Sequence, residues 1–542
     1  MKKKSIAFVL IAVALSFIGV NCKKSRTDAA FTNEVKTTDK ATEADILIKN
    51  GLLYDGTSNE PSIKDIAIKD NIIVFIGTAN EKNVTAQKTI DAKGFIVTPG
   101  FIDPHTHCES TLNASNSITR ANLSYLRQGV TTILTGNDGY GTINTQQQLS
   151  KWQNEGIGTN AGLFVGFGEV RKEVLGSDNV QPSVLQLATM KELVVKAMKE
   201  GAFGFSTALS YLPQSYSLRK GTEVKELAKA SQPYGGVYDT HLRSQGSGII
   251  DAIKEVEEIS EHAGNLKVHI SHIKVTPISN FHLVNDIIAQ MNNARSRGID
   301  MTANVYPYLA SADGLSSILS TSYRTSQSVY NTKYNNANDK NNMLNAVNNY
   351  FNSIGGNIQE GAKRIVVADS NPLWKGKSIY EIAQNQSKTE ANTVLDMLYT
   401  KLGIGIHTYS QSEDVMKEFL KQPFVVTGSD GVSSHPRATG TFPEVIKKYA
   451  ADQNLQSLAQ AIHTSSGLTA EIFGIKKRGF LKVDNYADIL VIDLDKYKAN
   501  SSYQEPTLYA TGIKHVFLNG KHVIENDVYK GVLAGKSLRK NE

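Results

Sequence analysis

Short apolar runs recur through the middle of the chain: Val130–Leu134, Leu163–Gly166, Phe203–Ser206, Val237–Thr240, Val268–Ser271, Met301–Val305 and Phe424–Thr427. With the run that ends at Ile102 they make eight. Runs of this length and near-continuous apolar character read as strands buried on both faces. The stretches between them carry helical spacing. In Gly248–His262, for example, Ile249, Ile250, Ile253, Val256 and Ile259 fall largely on one side, and Lys191–Glu200 is similar. Strands alternating with amphipathic helices predict parallel βαβ units, and eight of them predict a (β/α)₈ TIM barrel.

Both ends of the chain have a different texture. Ala44–Ile48, Asp65–Lys69 and Ile73–Gly77 near the start, and Ala487–Asp493 and His515–Ile524 near the finish, are short β segments separated by Asn-Gly and Asp-Asn turn pairs. We therefore expect one small β-sandwich domain assembled from residues 44–98 and 478–542, bracketing a barrel over 99–477. The Asn- and Ser-rich stretch 309–362 breaks the barrel rhythm and predicts a long irregular insertion, either a lid or binding loop or a tolerated excursion.

The first residues stand apart from all of this. Lys2, Lys3 and Lys4 precede an uncharged apolar run from Ile6 to Val20, then Cys22. The run is too short to span a bilayer and reads as an export signal over residues 1–21, with Cys22 at the position of a lipidated first mature residue and a polar tether over 22–43. A cleaved signal with an incidental Cys22 is the alternative. The lipidated form predicts an exported protein, periplasmic or on the cell surface, held to a bacterial membrane through its anchor.

Composition narrows the function classes. Apolar residues at 40% and charged residues at 20% of 542 are ordinary for a globular protein with a large core. The formal charge of +6 falls to about +3 without the three signal lysines, too little to argue for nucleic acid. Cys22 and Cys108 are the only cysteines, so no disulfide framework is possible.

The informative histidines lie at strand ends, the rim where barrel enzymes place their sites. His105 and His107, two apart on an extended segment, project to one side; His241, His272 and Asp430 each follow an apolar run. Together they form a ligand set suited to zinc or another divalent ion. A carboxylate beside such an ion can carry a proton between water and a departing amine, which singles out Asp430. Cys108 should point away from His107 and is read as a bystander.

The passage Thr98-Pro-Gly-Phe-Ile-Asp-Pro-His-Thr-His107 resembles the opening signature of the amidohydrolase superfamily. Thr240-His-Leu-Arg243, Ile270-Ser-His-Ile-Lys274, Tyr306-Pro-Tyr308, Gly428-Ser-Asp-Gly431, His435-Pro-Arg437 and Gly440-Thr-Phe-Pro443 are similar to motifs of the D-aminoacylase, or N-acyl-D-amino-acid deacylase, family. The resemblance implies a metal-bearing barrel beside a small β domain. It also implies metal ligation by His105, His107, His241, His272 and Asp430, with one ion or two, and hydrolysis of an N-acyl-D-amino acid. Where that family usually has a Cys, this chain has Asp138, a harder ligand that shifts metal preference. The resemblance further implies that Arg437, helped by Tyr306, clamps a small-molecule substrate's free carboxylate and that Lys274 reaches its side chain. Hydrolysis of a cyclic amide or a dipeptide, or a non-catalytic metal- or ligand-binding surface lipoprotein, are the rival expectations.

Overall fold

A computed structural model describes residues 42–540 and 542. The expected signal peptide, Cys22 and most of the tether lie outside the described residues. Among the described residues no helix is long and apolar enough to cross a membrane.

The barrel has the expected eight strands. They are β1 (Phe101–Thr106), β2 (Val130–Thr135), β3 (Asn160–Leu163 continued by Val165–Gly166), β4 (Gly204–Ala208), β5 (Val237–His241), β6 (Val268–Ile270), β7 (Met301–Val305) and β8 (Val425–Thr427). Each pairs in parallel with the next, and β7 pairs with β8 directly. Strand β3 is interrupted at Phe164, whose N–H donates to Thr135 O at 2.9 Å. The ring closes through a bridge from Thr106 to Gly431, just beyond β8. All of these strand residues are buried, which is why their sequences run apolar without alternation. Ile102, Leu134, Phe164, Phe203, Val237 and Val426 pack in one cluster with Phe473, leaving the opposite end of the barrel for polar groups.

The two chain ends build a single nine-stranded sheet. Its two halves meet where Ile96–Pro99 pairs antiparallel with Ile489–Ile492. Strand Thr42–Leu53 pairs with Ser62–Lys69 along one edge and changes partner along the other, from Val84–Asp91 to Ile96–Val97, near a bulge between Ile48 and Gly51. Turn chemistry fixes the hairpins. Asn519 and Gly520 have φ of 48° and 75°, and Asn526 and Asp527 have 48° and 60°, the left-handed pairs that a two-residue hairpin turn requires. Inside the domain Arg478 pairs with Asp488 and donates to Asn519 Oδ1. The last residues leave this domain: Gly535 N–H donates to Ile157 O, and Ala161 N–H to Lys536 O, so the terminal segment packs along the barrel instead of belonging to the sheet as expected.

The insertion also departs from expectation. It is no irregular loop but a folded subdomain that runs past 362, from Ser311 to Thr408. A three-stranded antiparallel sheet (Ser311–Gly314, Ile365–Val367, Gly405–Thr408) packs with five helices. Its own core contains Tyr330, Met343, Val347, Phe351, Val394 and Leu398. Helix Ala337–Gly355 explains the misreading: its exposed faces are Asn-rich and weakly helix-forming, while Met343, Val347, Phe351 and Ile354 keep one buried stripe at helical spacing. Asn336 starts it by accepting from Asp339 N–H at 3.0 Å. Phe351→Ala should cost about 3–5 kcal/mol, the price of emptying a well-packed aromatic site. Denaturant unfolding checks the loss, and limited proteolysis should then cut within 311–408 ahead of the barrel.

Candidate metal centre

Six of the expected ligands meet at the closed rim of the barrel. His105 sits in β1 and His107 just past it, Asp138 follows β2, His241 ends β5, His272 follows β6 and Asp430 follows β8. Donor atoms of His105, Asp138, His272 and Asp430 all lie within 4.8 Å of one another. His107 Nε2 is 3.0 Å from Asp430 Oδ1, 3.4 Å from His105 Nε2 and 3.5 Å from Asp138 Oδ2. His105 Nε2 is 3.5 Å from Asp430 Oδ1 and 3.7 Å from Asp138 Oδ2. On the other side His272 Nε2 is 3.7 Å from Asp138 Oδ1 and 3.0 Å from His241 Nδ1. Asp138 therefore stands between the two histidine pairs.

Further buried polar groups fix this geometry. Asp103 accepts from the N–H of His105 at 3.1 Å and of Ser429 at 3.0 Å, tying the start of the barrel to its end. Asp239 accepts from Asn137 at 3.0 Å and Ser271 at 2.9 Å, and Asn304 accepts from His272 N–H at 2.7 Å. Burial pushes Asp103 and Asp239 up to about 6. Asp138, His272 and Asp430 have φ of 57°, 36° and 49°. A left-handed backbone is uncommon outside glycine and is tolerated best by Asn, Asp and His. Gly136 and Gly139, at 80° and 74°, let the Asp138 loop turn sharply, and Gln214 Nε2 donates to Asp138 O at 2.9 Å to clamp it. A Cβ on Gly139 would fall 2.2 Å from Gln214 Oε1.

The electrostatics are lopsided. Burial disfavours the charged forms throughout, yet Asp138 and Asp430 raise His105 and push His107 well above the ordinary histidine value. His272 is driven down to about 4 by burial, reinforced by Lys274, and His241 falls well below normal for the same first reason, reinforced by His272. Both site carboxylates stay well below their usual range in spite of burial, Asp138 chiefly through His105 and Asp430 chiefly through Arg437.

A cavity of about 790 Å³ opens from this cluster. Arg437 lies buried on its wall, with Nη1 3.0 Å from Asp430 Oδ2. That contact lies off the hydrogen-bonding direction, and Nη1 and Nε make no hydrogen bond. Lys274 also lines the cavity, its Nζ 3.0 Å from His272 Nδ1, and burial lowers it to about 8. Tyr306 stands behind these cations: its ring lies 4.7 Å from the Arg437 guanidinium and 5.4 Å from Lys274 Nζ, and its hydroxyl accepts from Gln411 at 2.9 Å. It supports Arg437 by cation–π contact more than it forms the cavity wall. Sequence reasoning missed Tyr211, which packs 4.6 Å from the His241 ring at the cavity, and Gln245, whose Nε2 is 3.2 Å from His272 Nδ1. Neither carries a spacing signal. Cys108 is buried against Thr106 Oγ1 at 3.3 Å, away from the cluster, and burial keeps its thiol protonated.

The donor set fits a divalent ion. At about 2.0–2.1 Å from a metal, cis donors are about 2.9–3.4 Å apart; the pairs at 3.0 and 3.4 Å meet that spacing and those at 3.5 and 3.7 Å are slightly wider. Asp138 Oδ1 is buried with no hydrogen-bond partner, as expected of an oxygen that awaits an ion.

A (β/α)₈ barrel with imidazoles and carboxylates from β1, β2, β5, β6 and β8 converging at its rim is the arrangement of a metal-dependent hydrolase, and the chain's relatives make it a hydrolase of carbon–nitrogen bonds other than peptide bonds. Relatives that match nearly the whole chain are a D-aminoacylase and deacylases of N-acyl-D-glutamate and N-acyl-D-aspartate. The chain is 27% identical to the D-aminoacylase of Alcaligenes xylosoxydans xylosoxydans, over 91% of this chain and 97% of the relative. Solved structures of D-aminoacylase, an enzyme described as having a binuclear metal centre, superpose with TM-scores of 0.77 and 0.76 at 26% identity, covering 92% of this chain and all of theirs. N-acyl-D-glutamate deacylase from Bordetella bronchiseptica, solved with zinc and a phosphonate inhibitor, shares the fold at a TM-score of 0.77 and 23% identity, with coverage of 92% and 100%. No family model matches the chain.

Asp138→Asn keeps the size and left-handed tolerance of the native residue but removes the charge between the histidine pairs. Metal affinity should fall by about tenfold or more, read as bound zinc per chain after dialysis; unchanged metal content would remove Asp138 from the ligand set.

Proposed function

We propose that the chain deacylates N-acyl-D-amino acids, releasing a carboxylate and a free D-amino acid. The observation that carries this reading is Arg437, a buried guanidinium with unused donors on the wall of the metal-site cavity. A planar cation with free N–H groups is suited to a substrate carboxylate, and its distance from Asp430 sets that carboxylate next to the scissile amide. The names of the relatives support the D-configured substrate.

His105, His107, Asp138, His241, His272 and Asp430 would hold one or two zinc ions. Such an ion supplies Lewis acidity toward water and an amide carbonyl. Asp430, kept ionised by Arg437, takes the proton that water gives up as it attacks the carbonyl carbon. The same carboxylate then delivers that proton to the amide nitrogen, which otherwise leaves poorly. Arg437 orients the substrate through its carboxylate, with Tyr306 holding the guanidinium in place. Lys274 presents a second cation to the cavity, suited to a polar substrate side chain.

Asp430→Asn should lower kcat by about 10²–10⁴-fold with metal still bound, and full turnover in that variant would remove its proton-carrying role. Arg437→Met should lower kcat/KM about 10²-fold on N-acetyl-D-amino acids and far less on their C-terminal amides; equal loss on both would sink the clamp. A panel of N-acyl-D- and N-acyl-L-amino acids, dipeptides and hydantoins tests the substrate class. Turnover confined to dipeptides or hydantoins would hand the site to a rival amidohydrolase reaction, and no turnover with metal bound would favour a binding protein.

From the sequence of residues 1–22 alone we propose that the enzyme acts outside the cytoplasm on a lipid anchor. Labelled palmitate should enter the wild-type chain in cells and be absent from Cys22→Ser; label retained in that variant would place any acylation elsewhere.

A further inference from the structure

The β domain carries a second gathering of metal-type donors, on the hairpin formed by strands Ile513–Leu518 and Lys521–Glu525. We propose that His515, His522 and Glu525 form a separate divalent-metal site, selective for a borderline transition ion such as Zn²⁺. None of the three lines the barrel cavity. One donor atom from each lies within 4.8 Å of the other two.

The backbone produces this grouping through an irregularity. In a regular strand residues three apart face opposite sides, so His522 and Glu525 would diverge. Here His522 pairs with Phe517 and Glu525 with His515, with a register shift between Val516 and Phe517 that absorbs one extra residue on the partner strand. The bulge restores parity and puts both imidazoles and the carboxylate on one face. The turn that sets this register is Asn519-Gly520, both left-handed.

The rings are also held in position. Buried Phe517 stacks on His522 with centroids 4.7 Å apart and planes at 22°, and lies 6.3 Å from His515. His515 Nδ1 is 3.0 Å from His522 Nε2. Two nitrogens bound to one ion at about 2.05 Å are separated by about 2.9 Å at a right angle and about 3.3 Å at the tetrahedral angle. The observed spacing falls between these, so an ion needs only a small ring rotation. All three residues are half-buried, which leaves room for water to complete the coordination.

Glu525 meets Lys530 at 2.7 Å and Lys88 at 3.3 Å. Half-exposed pairs of this kind contribute little, and both ammonium groups can swing into water when a dication takes the carboxylate. Two imidazoles and one carboxylate suit Zn²⁺, Ni²⁺ or Cu²⁺. Ca²⁺ and Mg²⁺, which need mostly oxygen donors, are poorly served.

The test compares zinc stoichiometry in full-length wild-type protein and the His515→Gln/His522→Gln double variant, by calorimetric titration with Zn²⁺ alone and elemental analysis after dialysis at micromolar free zinc. The wild type should hold one equivalent more than the variant, with unchanged turnover in both because the barrel site is intact. Glu525→Gln should weaken that extra equivalent at least tenfold. Equal stoichiometry in wild type and a turnover-competent double variant overturns the proposal. If the double variant loses turnover, Glu525→Gln alone decides: an extra equivalent bound as tightly as in wild type overturns the site, and a tenfold loss sustains it.

Discussion

Two nearly buried carboxylates, packed among four imidazoles, are the constraint around which the barrel end is organised. Asp138 and Asp430 are almost fully buried, and charge in that setting is tolerable only when countercharge surrounds it. Their neighbours answer that need unequally. Arg437 and the His105–His107 pair support Asp430, whereas Asp138 lies between histidine pairs of opposite tendency. A bound cation removes the imbalance, which is why the cluster reads as a metal centre although no single contact in it does.

Holding six such groups together takes a rigid frame. The frame is the junction of first and last strands: Asp103 on β1 accepts from Ser429 beyond β8, Asp430 N–H donates to His105 O at 2.9 Å, and His107 N–H reaches Gly431 O. The same peptides that close the barrel thus carry three of the ligands. Left-handed backbone at Asp138, His272 and Asp430 aims side chains inward at points where a regular strand would have turned them along the rim. Residues that tolerate this conformation and residues that bind metal overlap, so one choice of side chain meets both demands.

The strands were legible in the chain because buried parallel strands write themselves as apolar runs, and the ligands because barrel chemistry sits where those runs stop. Asp103, Asp239 and Asn304 were not assigned a role, since a buried polar group inside an apolar run gives no sign of what it bonds to. Tyr306 shows the limit of a resemblance: its motif implies a share in the substrate clamp, and packing sets its ring behind the Arg437 guanidinium. The insertion's Asn-rich helices hide a core stripe, visible only where Met343, Val347 and Phe351 pack with Val394 and Leu398. The terminal segment was assigned to the nearer domain, because nothing local in residues 533–540 signals a bond to Ala161.

The insertion divides the labour of the molecule. It lends the cavity part of its wall, including Asp313, Arg324, Tyr350 and Thr408, but its apolar interior is made from its own helices and sheet. Ligands to the metal come from elsewhere, on the barrel strands. The face that greets a substrate can therefore be rewritten by exchanging one self-contained cassette, while the reactive machinery beneath it is inherited unchanged.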